Sequence, residues 1–105
     1  MSSARVVLVT AANREEAERI AHALVEEQLA ACVNLLGGVR SIYRWHDAIE
    51  TAEEVLLLIK TRQEAVDALR RRVQELHSYE VPEFLVLAVE QESEAYLAWI
   101  LANVR

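Results

Sequence analysis

The stretch ACVNLLGGVRSIYRWHDAIETAEEVLLLIK, residues 31–60, decides the fold. It opens with a short apolar run, "ACVNLL" (31–36), and breaks at Gly37 and Gly38. It then alternates: Val39, Ser41, Tyr43 and Trp45 share one side, while Arg40, Ile42 and Arg44 share the other. Alternation with period two is the mark of a strand, and paired glycines within it predict a bulge or kink. "HDA" (46–48) forms the hairpin tip. The return arm runs to about Lys60 and ends in the continuous apolar run "VLLLI" (55–59). The whole stretch is one long hairpin. With roughly eight residues per arm beyond the core, at ~3.3 Å each, it projects ~25 Å. An isolated two-stranded arm is marginal in water. Tyr43 and Trp45, on one side of it, therefore read as anchors for a neighbouring subunit.

Outward from the hairpin, each flank repeats the same plan. "VVLVT" (6–10) is a β-branched apolar run and reads as the first strand. Asn13 followed by Glu16 resembles a capping box and starts a helix. Ala17, Ile20, Ala21 and Leu24 give that helix an apolar stripe. After the hairpin, Thr61 with Glu64 reads as a second capping box. Val66, Leu69, Val73 and Leu76 then trace a second amphipathic helix. "FLVLAV" (84–89) is the fourth strand, and Ser93 caps a last short helix carrying Tyr96, Leu97, Trp99, Ile100 and Leu101. The order β-α-β-β-α-β plus a helix predicts an α+β, ferredoxin-like double βαβ sandwich, with both helices on one face of an antiparallel sheet. At 105 residues the chain is a single domain, 1–105.

An antiparallel sheet with helices on one face should alternate apolar and polar residues. "VVLV", "VLLLI" and "FLVLAV" are apolar on both sides, and the chain has no further element to cover a second face. Association with other copies is the expected remedy. The formal net charge of −6 argues against nucleic acid and against an anionic membrane surface as partner, since both are recognised by clustered Lys and Arg. No apolar run is long enough to span a bilayer. The single cysteine, Cys32, allows no internal disulfide and fits a cytoplasmic location.

Five blocks, "LAACVN" (29–34), "SIYRW" (41–45), "EEVLLLIKT" (53–61), "ELHSYEVPE" (75–83) and "YLAWI" (96–100), resemble the CutA family, the divalent-cation tolerance proteins, in order and spacing. The resemblance implies a ferredoxin-like subunit in a tight homotrimer, with sheets packed together inside and hairpin arms reaching neighbours. It also implies a role in divalent-metal tolerance, with copper or another divalent cation bound and no further cofactor required. The chain departs from the family pattern in three places: Ser78 stands where the family usually has Pro, the hairpin tip is "HDA", and "EQES" (90–93) precedes the last helix. Copper binding in the family has been linked to a cysteine on the first strand and two adjacent histidines. By position these are Val9, Leu76 and His77 here, so only His77 keeps a ligand-type side chain.

His77 therefore has two readings: a metal ligand, or the cap of the second helix and wall of a pocket. It opens the run "HSYEVPE" (77–83), in which Pro82 fixes an extended approach to an edge strand. That accounts for the turn but not for Glu80 and Glu83 beside a tyrosine. Each glutamate is either a site residue or a solvated charge. Cys32 reads as a small buried hydrophobe. Glu18, His22 and Glu26 share a helix face and read as solvated. His46 and Asp47 at the tip have no assigned role. The alternative to metal tolerance is a signalling-type trimer. It would hold a small anion or a protein partner in clefts between subunits, formed by Tyr43, Trp45, Lys60, His77 and Glu83, with Lys60 meeting the anion or pairing with Glu83. An enzyme using His77 or Glu83 as base lacks a second catalytic group, and no phosphate loop or nucleophile elbow is present. The expectation is a protein without enzymatic activity.

Overall fold

A computed structural model describes residues 2–105. The elements run β1 (Ala4–Ala11), α1 (Arg14–Glu26), β2 (Cys32–Trp45), β3 (Ala48–Arg62), a 3-10 turn (Gln63–Ala65), α2 (Val66–Leu76), β4 (Leu85–Ala88) and α3 (Glu94–Asn103). The four strands form one antiparallel sheet in the order β2-β3-β1-β4, which is the ferredoxin-like arrangement expected from the sequence. β1 lies between β3 and β4, pairing Val7 with Ile59 on one side and with Val86 on the other.

One face of the sheet carries the core. Val7, Val9, Val55, Leu57 and Ile59 meet the α1 stripe Ala17, Ile20, Ala21 and Leu24, together with Leu69 and Val73 of α2. The Asn13 side chain accepts a hydrogen bond from the Glu16 N–H (2.8 Å), so α1 is capped as expected. α3 is likewise capped by Ser93, which accepts from the Tyr96 N–H. A second cluster, Ala4, Ala31, Ala65, Ile100 and Val104, seats α3 at the end of the sheet.

The second capping box is corrected. Thr61 is the penultimate residue of β3, fully buried, and its hydroxyl donates to the Leu29 carbonyl at 2.7 Å. That bond pins the chain leaving α1 to the end of β3. α2 instead begins through the 3-10 turn, and Glu64 accepts from Arg62. The fourth strand is also shorter than expected, because Phe84 and Val89 fall outside the ladder.

Opposite residues in an antiparallel ladder share a face. Leu36 pairs with Leu56 and Val39 with Glu54, so Gly37 and Gly38 together oppose Val55. The bulge predicted at the glycines is present, and Gly38 takes φ +73°, a value open to glycine. Because of this extra residue, Leu36 and Val39 lie on the same face although they are three apart. Tyr43 and Trp45 consequently share the face of Leu56 and Leu58, the one that no helix covers. Beyond the bulge the arm extends over Val39–Trp45 and Ala48–Glu54, about 23 Å at 3.3 Å per residue. It closes on a two-residue turn, His46–Asp47, with both residues at positive φ, as a type I′ hairpin requires.

Candidate functional site

The run from His77 to Glu83 leaves α2, crosses the end of β1 and delivers the chain to β4. Its first half is tied down. The His77 ring is fully buried, with Nε2 2.7 Å from the Thr10 carbonyl and Nδ1 3.1 Å from the Tyr79 N–H. A carbonyl can only accept and an N–H can only donate. Nε2 therefore carries the proton, and the Nδ1 lone pair is committed to Tyr79. Beside it, the Glu16 carboxylate accepts from the Ser78 N–H (2.7 Å) through one oxygen and from the Ala12 N–H (3.1 Å) through the other. Burial pushes the Glu16 carboxyl up, but the bonds from Ser78 and Ala12, with His77 nearby, outweigh it and hold the group below the ordinary carboxylate range.

The second half of the run faces an open cavity of about 710 Å³ alongside the arm, on the face without helices. Tyr43 and Trp45 supply one wall and Val81 and Pro82 another, with Glu54, Glu80 and Glu83 among the polar lining. The Tyr79 hydroxyl donates to Glu54 at 2.7 Å. The Tyr79 ring lies 4.6 Å from that of His77, so the histidine stands behind the cavity wall. Burial, then the bond and charge of Glu54, raise the Tyr79 phenol well above its ordinary value. Burial, then Glu54, raise the Glu83 carboxyl.

Of the five residues expected to form the cleft, Tyr43, Trp45 and Glu83 line this cavity, and His77 adjoins it through Tyr79 and Thr10. Lys60 does not join them. It lies six residues beyond Glu54 on β3, about 20 Å along the strand, and its Nζ donates to Asn34 Oδ1. Its place in the ladder is opposite Val6 and Cys32, so no pairing with Glu83 is made. Cys32 is half-buried on this open face rather than enclosed in the core. Glu18 pairs with Arg14 on the α1 surface. Among the described residues no group of three or more His, Cys, Asp or Glu is placed to hold a metal ion. The sequence reading passed over Glu54, noted Tyr79 without assigning it a role and took Glu16 only as a helix cap. The shared parity of Glu54 with Leu56 was the available signal that it faces the uncovered side.

Residues 5–103 match the family model described as CutA1 divalent ion tolerance protein. The chain belongs to the CutA1 family. The divalent-cation tolerance protein CutA of Thermus thermophilus is 47% identical over 93% of this chain and 95% of its own length. Chloroplastic CutA of Arabidopsis thaliana is 41% identical over 95% of this chain, which spans 55% of that protein. The fold agrees equally well. The solved Thermus thermophilus structure has a TM-score of 0.95 at 45% identity, covering 97% of this chain and 99% of that one. CutA from Xylella fastidiosa has a TM-score of 0.97 at 39% identity, covering 99% and 100%.

Proposed function

We propose that this CutA1-family chain works as a cytoplasmic homotrimer in divalent-metal tolerance, binding copper or another divalent cation. The observation that carries the assembly is the uncovered face of the sheet. Leu8, Leu56 and Leu58 lie on it with Leu36, Leu85 and Leu87, and the last three are 46%, 54% and 47% exposed. Covering a half-exposed leucine contributes about 1 kcal/mol, so a second copy laid on this face gains from every row of the ladder. The arm continues this face toward a neighbour through Tyr43 and Trp45, and exposes Ile42 and Ile49 on its other side. The role in metal tolerance follows the family's description, and the cytoplasmic location rests on the unpaired Cys32.

His77 is the residue carried forward as metal ligand. For it to bind, Nδ1 must exchange the Tyr79 N–H for the metal, because both ring nitrogens are otherwise engaged. Native mass spectrometry before and after Cu(II) titration, with glycine as competitor, tests both parts. The expected result is a trimer retaining one copper per subunit in the wild type and none in His77→Ala. A trimer that surrenders all its copper to glycine overturns the metal role and leaves the assembly standing. A folded monomer at nanomolar dilution overturns the assembly.

A further inference from the structure

The chain has three histidines, and they differ in what holds them. Among the described residues, the histidine hydrogen bonds and ion pairs are all those of His77. His46 stands at the hairpin tip with its ring against Trp45. His22 is exposed on α1 with its ring unengaged. It lines a groove of about 400 Å³ between α1 and the edge strand β2. Val33 and Leu35, opposite Ile59 and Leu57, form the floor of this groove, so it lies on the helix-bearing face of the sheet. The apolar face assigned above to a second copy is the opposite one. Glu18, His22 and Glu26 follow one another at intervals of four, a row whose spacing alone reads as solvated. The groove divides that row: Glu18 and His22 line it, and Glu26 does not.

We propose that Glu18 and His22 together form a two-ligand site for a first-row divalent cation, Cu(II) ahead of Zn(II), with water in the remaining positions. This rests on the family reading that the protein meets divalent metal, and it names a site other than His77. Residues four apart on a helix have Cβ atoms about 5–6 Å apart. One cation joins a carboxylate oxygen and an imidazole nitrogen across that span, each at about 2.0–2.2 Å. Helical zinc sites use the same i, i+4 spacing for their paired histidines. Both groups are available. The ion pair of Glu18 with Arg14 is long, 3.9 Å, and its side chains are 51% and 61% exposed, so it contributes little. His22 gives up no bond to reach a metal, whereas His77 must release the Tyr79 N–H. Val25, Val33 and Leu35 exclude water from one side of the pair, which strengthens ligand bonds. The order of metals follows the general preference of nitrogen and oxygen donors for copper. An anion is disfavoured, because Glu18 stands one turn from both Arg14 and His22. The described residues contain no three-donor group, and Arg14 repels a cation from the same wall. The site is therefore weak and exchanges its metal with solvent. It surrenders copper to glycine, so the glycine-competed titration of His77 does not report on it.

The test is NMR of the histidine side chains in the intact assembled protein, titrated with Cu(II) alone at substoichiometric ratio and, separately, with Zn(II) alone. The expected result is that the His22 ring signals broaden with Cu(II) before those of His46, and shift with Zn(II). Glu18→Gln weakens Zn(II) binding at His22 by at least about tenfold, the effect of losing one ligand bond of modest strength. Glu26→Gln leaves it unchanged. Arg14→Gln tightens it by about twofold to fivefold, the contribution of an exposed ion pair. The His22 response persists in His77→Ala. Should that variant fail to fold, the comparison of Glu18→Gln with Glu26→Gln on the wild-type background decides alone. Earlier broadening of His46, equal effects of Glu18→Gln and Glu26→Gln, or loss of the His22 response in a folded His77→Ala would each overturn the proposal. A response confined to His77 sinks this site and leaves the family's metal role standing. Silence at every histidine overturns both.

Discussion

The two ends of the run His77–Glu83 are built on opposite terms. At the His77 end, both ring nitrogens and both oxygens of the adjacent Glu16 are bonded to backbone atoms of Thr10, Ala12, Ser78 and Tyr79. At the Glu83 end, Glu54, Glu80 and Glu83 line one cavity, and of the three only Glu54 has a bond from the Tyr79 hydroxyl. Seven residues thus hold a knot that closes the fold and an opening that leaves chemistry exposed. Polar residues at the first end serve stability, because an unpaired buried N–H or C=O costs about 1–3 kcal/mol. At the second end Glu83 is held at a cost to stability, since burial and the nearby Glu54 both disfavour its charged form.

The contrast is testable by chemical denaturation at fixed protomer concentration, since assembly contributes to apparent stability. His77→Ala has the largest expected effect, about 3 kcal/mol, because it leaves a void as well as unpaired Thr10 and Tyr79 backbone groups. Glu16→Ala follows at about 2 kcal/mol, the loss of acceptors for Ala12 and Ser78. Tyr79→Phe costs about 1 kcal/mol, because Glu54, 8% exposed, loses its donor. Glu83→Gln is neutral or stabilising within about 0.5 kcal/mol. A loss in Glu83→Gln equal to that in Glu16→Ala would erase the distinction between the two ends.

A pH series sharpens the same comparison with a smaller signal. The folded Glu16 carboxyl titrates below its unfolded value, so the unfolded chain binds more protons in that window. Its stabilisation is complete above the ordinary glutamate pKa of about 4.3 and is lost as pH falls below it. Glu83 titrates above its unfolded value, so the folded chain binds more protons there, and stability declines as pH rises from about 4.3. Glu16→Gln should flatten the acid limb of the stability profile, and Glu83→Gln the limb above it.

The sequence carried the element order, the α1 stripe and the projecting arm, because each is written in a local period. It also showed Tyr43 and Trp45 on one side. It could not show what faces them. Tyr79 reaches Glu54 from 25 residues away, and no period within a segment encodes a contact between segments. Lys60 failed as a cleft residue for the converse reason: it lies in the same strand as Glu54 but too far along it. Thr61 followed by Glu64 has the pattern of a cap, yet a buried carbonyl at Leu29 claimed the hydroxyl first.

The double glycine in β2 has a further consequence. Deleting Gly37 or Gly38 would leave every residue type of the arm in place while shifting its phase by one. Arg40, Ile42 and Arg44 would then turn toward the cavity, and Tyr43 and Trp45 would turn away. A face of two aromatic rings would become one of two arginines with no side chain substituted. At this point of the chain, an insertion or deletion is a change of chemistry, and the length of the stretch carries as much information as its letters.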